Sequence, residues 1–260
     1  MTIEAGHDLT QIVTHDGAAM ELRFNSRRPL NAVTIDLVSD LLDTVRSLTA
    51  KPELRVIVFR GLDDVFTGGA DLRAVASFNT DQYRHYIETE FALFAAVEAL
   101  PFITVAALTG ACIGNGAELA LACDFRLATE RVVFALPEAK LGVQGPTQRL
   151  PKFVGLGVAK DLLYRARVLR AEEALKLGLV TEVIASSDQD AAITRFVDEL
   201  VTLPPVATRI TKQNIESAYV AASSGLATEI DSSMRTRGTN DFREGVAAFF
   251  EKRSARFSGS

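Results

Sequence analysis

Gly110-Ala111-Cys112-Ile113-Gly114-Asn115-Gly116-Ala117-Glu118-Leu119 is the stretch on which the reading of this chain turns. It follows the apolar run Phe102–Leu108, which has the length and β-branched content of a strand covered on both faces, and it opens a helix around Ala117–Cys123. The first turn of a helix leaves backbone N–H groups without internal partners, so such a loop presents donors. The same order occurs earlier. Val56-Ile57-Val58-Phe59 is a second buried strand, followed by the loop Gly61–Ala70 with Thr67-Gly68-Gly69-Ala70-Asp71-Leu72. Two donors from two such loops, aimed at one point, would make an oxyanion hole. In either loop alone, the glycines serve equally well for tight turns and close packing. Two equivalent strand–loop–helix units point to a layered or spiral α/β fold.

Outward from these loops, Leu9–Val13 and Ala18–Phe24 read as a hairpin turned at Asp16-Gly17. Thr34 is the N-cap of a helix whose apolar face is Ile35, Val38, Leu41, Leu42, Val45 and Leu48. A longer helix over about Asp81–Leu100 carries Tyr83, Ile87, Phe91, Phe94 and Val97 on one face, and Pro101 ends it. From Thr147 onward the pattern is almost wholly helical and closes with a helix over Asp241–Phe257. No linker divides the chain, which implies a single domain over 1–260, with a core over 1–198 and a helical region over 199–260. Phe242, Val246, Phe249, Phe250 and Phe257 give the last helix more apolar area than a solvated helix should expose, so it should dock on the domain or on a neighbouring subunit.

Composition narrows the chemistry. The 260 residues hold 28 Lys and Arg against 33 Asp and Glu, a net charge of −5, which gives no long-range pull toward nucleic acid or an anionic membrane. Only Cys112 and Cys123 occur, without a C-x-x-C pair, which fits a reducing compartment and argues against a structural zinc site. The three histidines are His7 and His15 in the N-terminal strands and His85 in a polar stretch. A Ser-His-Asp triad or a multi-histidine metal site therefore has little material, and no metal is expected. Met1–Thr10 lacks a basic n-region and an apolar h-region, and the chain lacks the roughly 18-residue apolar run of a membrane helix. The expectation is a soluble, cytoplasmic protein whose chemistry falls to carboxylates and backbone groups.

Two carboxylates stand out. Glu118 lies in the apolar stretch Ala117–Cys123, where burial is costly unless the group caps, pairs or reacts. Glu138 follows Phe134-Ala135-Leu136-Pro137, twenty positions on. The plainer readings are a charge that complements the helix dipole and a solvated loop carboxylate. Gly114-Asn115-Gly116 imitates the start of a dinucleotide fingerprint, but Leu119 replaces its third glycine. No phosphate loop and no G-x-S-x-G elbow occurs.

Several stretches in order carry a resemblance. They are Arg28-Pro29-Leu30-Asn31-Ala32, Phe66–Leu72, Gly110–Asp124, Pro137-Glu138, Thr147-Gln148-Arg149-Leu150, Ala171–Val180 and Phe249-Phe250-Glu251-Lys252-Arg253. Over nearly its whole length the chain resembles the enoyl-CoA hydratase/isomerase (crotonase) superfamily. The resemblance implies an α/β spiral of ββα units with a C-terminal helical region, and a homotrimer or dimer of trimers. It implies an acyl-CoA thioester substrate of which coenzyme A is a part, with no separate cofactor. It puts the N–H groups of Ala70 and Asn115 in the oxyanion hole, and Glu118 and Glu138 on the two glutamates that hydratases of the family use. Family isomerases often keep only the second, so the pair favours hydration over isomerisation or another crotonase-type lyase reaction. Arg28, Leu30, Gly68, Asp71, Leu72 and Arg73 are implied on the CoA side, joined by Lys252 and Arg253 near the C-terminus. Some relatives bind RNA, which would require a basic helix; Arg73–Glu90 mixes Arg73, Arg84 and His85 with Asp81, Glu88 and Glu90, so neither nucleic acid nor a membrane is an expected partner.

The chain departs from the family pattern twice. Asn115 stands where glycine is usual, and it is expected to take a left-handed backbone and to add bulk beside the thioester. The segment Val143-Gln144-Gly145-Pro146 is shorter than the glycine-rich loop that helps hold water in hydratases.

Overall fold

The computed structural model describes residues 2–5, 9–217 and 225–257; His7 lies outside them. β1 (Thr2–Ala5), β2 (Leu9–Thr14) and β3 (Ala19–Phe24) run antiparallel in sequence order. The turn between β2 and β3 takes positive φ at His15, Asp16 and Gly17. α1 (Ile35–Leu48) begins where Thr34 accepts a hydrogen bond from the Leu37 N–H, and it buries Leu37, Val38, Leu41, Leu42, Val45 and Leu48. Each of these side chains contributes roughly 1.5–3 kcal/mol on leaving water.

α1 returns the chain to β4 (Val56–Arg60), parallel to β3. α2 (Leu72–Ser77) and α3 (Thr80–Glu98) carry it on to β5 (Ile103–Leu108), parallel to β4. β4 and β5 are buried at every position because both faces of the sheet are covered. Ile57 and Phe59 face the main core with α1 and α3, whereas Val56, Val58, Ile103 and Val105 pack with Ile193 and Val197 on the other side.

After β5 the chain forms β6 (Ala111–Ile113), α4 (Asn115–Ala122), β7 (Phe125–Thr129) and β8 (Val133–Ala135). α5 (Leu150–Arg165), β9 (Val168–Arg170), α6 (Ala171–Lys176), β10 (Glu182–Ile184) and α7 (Gln189–Val201) follow. Two sheets result among the described residues, β1-β2-β3-β4-β5-β7-β10 and β6-β8-β9. This is the expected α/β spiral, with β9 and β10 as short strands in a stretch read from sequence as helical. The division at residue 198 falls inside α7, whose Ile193 and Val197 complete the second core, so the helical region starts at α8 (Pro205–Ser217).

α9 (Gly225–Arg237) and α10 (Asn240–Glu251) end the described chain. The last helix stops six residues before Phe257, with Lys252 as a left-handed cap. Its Phe242 and Val246 dock on the same chain, while Phe249, Phe250 and Phe257 stay exposed. No helix among the described residues is long and apolar enough to cross a membrane.

Candidate active site

The two glycine loops meet. Thr67 N–H donates to Ala111 O at 2.9 Å and Ile113 N–H to Thr67 O at 3.1 Å, a parallel bridge between the loop after β4 and strand β6. Glycine is required where they touch. A Cβ on Gly116 would sit 2.1 Å from Thr67 Cγ2, and one on Gly69 (φ +92) would sit 2.8 Å from Ile113 O. Asn31 braces the assembly from beneath, its buried amide donating to Phe24 O at 3.1 Å and Phe66 O at 2.8 Å. Just beyond the contact lie Ala70 and Asn115. Among the described residues no backbone acceptor takes either N–H, and Asn115 is the first residue of α4, where no intrahelical partner exists.

Glu138 opens a 3-10 turn, Glu138–Leu141, directly against this point. Gly114 N–H donates to Ala135 O at 2.9 Å, which ties the turn's strand to the loop, and a Cβ on Gly114 would lie 3.4 Å from Glu138 Oε1. On the other side a Cβ on Gly145 would lie 3.2 Å from Glu138 Oε2. The short segment Val143–Pro146 thus folds over the carboxylate. Glu138 Oε2 is buried without a hydrogen-bond partner. Burial pushes this carboxyl up to about 7, reinforced by the charge of Glu90 and opposed by a backbone hydrogen bond.

Glu118 has a different environment. Arg149, itself buried, donates from Nη1 to Glu118 Oε1 at 3.0 Å and holds Glu98 with two further bonds of 2.8 and 3.0 Å. Its guanidinium also lies 5.4 Å over the Phe94 ring. Glu118, in the first turn of α4, and Glu138, beside that turn, therefore have separate supports, one ion-paired and one not.

Asn115 differs from expectation in two ways. The left-handed backbone falls on the preceding Gly114 (φ 59), leaving Asn115 helical, because the glycine carries no Cβ penalty. The Asn115 side chain turns into the seam between α3 and α4, where Nδ2 donates to Tyr86 OH at 2.7 Å and also to Glu90 Oε1. Tyr86 OH donates to Glu90 Oε1 at 3.0 Å. Glu90 is 6 % exposed. Its burial pushes it up to about 7, against the hydrogen bonds from Asn115 and Tyr86 and the charge of Arg149. Sequence reasoning missed Tyr86, Glu90, Glu98 and Arg149 as site residues. The available signal was spacing: Glu90 falls four residues after Tyr86 and four before Phe94, on the buried stripe.

The remaining expected residues rim the loops. Gly68 N–H donates to Leu30 O at 2.7 Å, and Leu30 is 64 % exposed at the loop edge. Asp71 caps α2, accepting from Arg73 N–H at 3.1 Å and Ala74 N–H at 3.3 Å, and Arg28 Nε lies 3.8 Å from its carboxylate. Leu72 starts that helix, and Arg73 lies 5.1 Å over the Phe250 ring, which joins α2 to α10. Lys252 and Arg253 end α10 on the surface; Arg253 is tied to Glu244 and Glu251 at 2.6 and 2.5 Å. α10 reaches the Glu138 turn through glycines, since a Cβ on Gly142 or Gly245 would meet the opposing backbone at 2.8 or 2.7 Å.

The family model for enoyl-CoA hydratase/isomerase matches residues 14–260. The chain belongs to the enoyl-CoA hydratase/isomerase family. It is 32% identical over 248 residues to crotonyl-CoA hydratase of Syntrophomonas wolfei, covering 91% of this chain and 93% of that protein. It is 36% identical to human enoyl-CoA hydratase domain-containing protein 2, mitochondrial, covering 94% and 87%, and 35% identical to mouse methylglutaconyl-CoA hydratase, mitochondrial, covering 88% and 76%. Among solved structures, an enoyl-CoA hydratase from Mycobacterium avium subsp. paratuberculosis superposes with a TM-score of 0.87 at 27% identity, covering 96% and 98%. Crotonase-family membership thus rests on sequence and on fold alike.

Proposed function

We propose that this crotonase-family protein adds water to a 2-enoyl-CoA thioester, giving a 3-hydroxyacyl-CoA. The observation that carries the reading is that Ala70 and Asn115 sit on two touching loops with N–H groups that no described backbone acceptor takes, beside Glu138, whose Oε2 is buried without a hydrogen-bond partner. As water attacks the β-carbon, negative charge moves to the thioester oxygen, where two fixed donors stabilise it in advance. One such donor typically contributes about 2.7–4 kcal/mol. Glu118 takes the proton of the attacking water, and Glu138 delivers a proton to the α-carbon, which collapses the enolate. The CoA portion runs past Leu30 and Arg28 toward Arg73, with Lys252 the freer of the two C-terminal basic groups because Arg253 is ion-paired. Both cysteines are free and buried, which supports a reducing compartment, and the cytoplasm is our reading.

A second reading follows from Arg149. With Glu118 bound to a guanidinium and Glu138 free of any ion pair, one carboxylate could move a proton between the α- and γ-carbons of the same enolate, which is isomerisation. Water labelled with heavy oxygen separates the two. A 2-enoyl-CoA converted to labelled 3-hydroxyacyl-CoA, with uptake lost in Glu118→Gln, supports hydration. Conversion of a 3-enoyl-CoA to the 2-enoyl isomer without label from either substrate overturns it.

A further inference from the structure

Tyr86, Glu90 and Asn115 close a polar ring that the chemistry above leaves unused. Tyr86 OH and Asn115 Nδ2 both donate to Glu90 Oε1, and Asn115 Nδ2 also donates to Tyr86 OH. Glu90 lies on the buried face of α3 among Ile87, Phe91 and Phe94, where a leucine would pack without desolvating a carboxyl. The ring reaches the oxyanion loop through one residue, Asn115. The N–H of Asn115 belongs to the Gly114–Asn115 peptide, whose direction is set by Gly114 ψ and Asn115 φ. Gly114 has φ 59 and ψ −127, and a glycine does little to restrain ψ. The carbonyl of that peptide, Gly114 O, accepts from the Glu118 N–H at 3.0 Å, which holds the peptide along the α4 axis, and the Asn115 side-chain amide ties this turn of α4 to α3. The carboxylate also fixes which way that amide faces: Nδ2 meets Glu90, while Oδ1 is buried without a partner on the Gly69 side.

We propose that Glu90 is a positioning residue which, with Tyr86, clamps the Asn115 side chain to α3 and thereby fixes the Asn115 N–H toward the thioester oxygen. This rests on the thioester reading, and the test separates the two. Glu90→Leu removes the acceptor and is expected to lower kcat by on the order of 10- to 100-fold while KM for the acyl-CoA moves by less than about twofold. Glu90→Gln keeps a carbonyl acceptor and should retain kcat within about threefold. In an Asn115→Gly background, which removes the clamped group, Glu90→Leu should cost less than about twofold. Should Asn115→Gly fail to fold or turn over, Tyr86→Phe replaces it, and the combined loss with Glu90→Leu should not exceed the larger single loss. A saturated acyl-CoA labelled at the thioester carbonyl gives a readout without turnover. Its carbonyl stretch should shift to lower frequency on the wild-type protein and return toward the solution value in Glu90→Leu. Equal losses in both backgrounds, an effect on KM alone, or an unchanged carbonyl shift overturns the proposal and leaves the hydratase reading intact. A wild-type protein that binds and converts none of a panel of enoyl-CoA thioesters overturns both.

Discussion

Glu138 concentrates the pH dependence of the site in one side chain. Its carboxyl is neutral below about 7 because burial and Glu90 both disfavour the anion. In the proposed hydration Glu138 donates a proton to the α-carbon and must start neutral, so kcat/KM is expected to be full just below 7 and to fall as pH rises through that value. Glu138→Gln should lower kcat by roughly 100-fold or more and erase this alkaline limb. A rate that instead rises through pH 7 would make Glu138 the base and favour isomerisation. Glu90, also raised to about 7, makes folding stability pH-dependent as well. Its folded pKa exceeds the unfolded value of 4.5, so the stability it lends is complete below 4.5 and is lost as pH climbs to about 7. Glu90→Gln cannot ionise. Above pH 7 it should be more stable than wild type by on the order of 3 kcal/mol, and the gap should close toward pH 4.5. Denaturant titrations across that window measure it, and a pH-independent difference would count against the buried acid.

At the scale of elements, three helices share one cation. Glu98 ends α3, Glu118 sits in the first turns of α4, and Arg149 immediately precedes α5. The Arg149 guanidinium binds both carboxylates from a buried position. Arg149→Met keeps the bulk but strands two carboxylates, and breaking such a buried cluster typically costs about 3–5 kcal/mol. A loss below about 1 kcal/mol in denaturant unfolding would mean that the cluster is solvated in solution. This cluster also marks how far the sequence could be read. β4, β5, α1, α3 and both glycine loops were legible because apolar period and glycine placement are local signals. Glu118 and Glu138 were legible because each interrupts an apolar stretch. Arg149 was not, since its partners lie 51 and 31 residues away and no local pattern distinguishes a buried arginine from a solvated one. β9 and β10 escaped for a similar reason: three residues each, they exist because β8 and β7 offer them an edge. The turn of the Asn115 side chain into α3 was likewise invisible, because its cause is Glu90 on another helix.

Several helices among the described residues leave apolar surface open. α8 exposes Val206 at 57 % and Ile210 at 48 %, one turn apart, with Ile215 at 58 % further along, while α5 exposes Leu156 and Tyr164 at 70 % and 75 %. α10 buries Phe242 and Val246 against its own chain but leaves Phe249, Phe250 and Phe257 open. Helices that dock one stripe on the domain and present a second stripe to water are built for another partner. A closed homo-oligomer is the economical solution, because a single patch then serves every copy. Sedimentation is therefore expected to find a trimer or a dimer of trimers at micromolar concentration. Val206→Asp with Ile210→Asp, both on exposed positions of α8, should shift the protein to monomers while the far-ultraviolet circular dichroism stays that of wild type. A wild-type monomer would contradict the assembly outright. A variant that remains assembled would move the interface away from α8, toward the aromatic end of α10. There Phe250 already carries Arg73, so assembly at that end would couple to the rim of the thioester site.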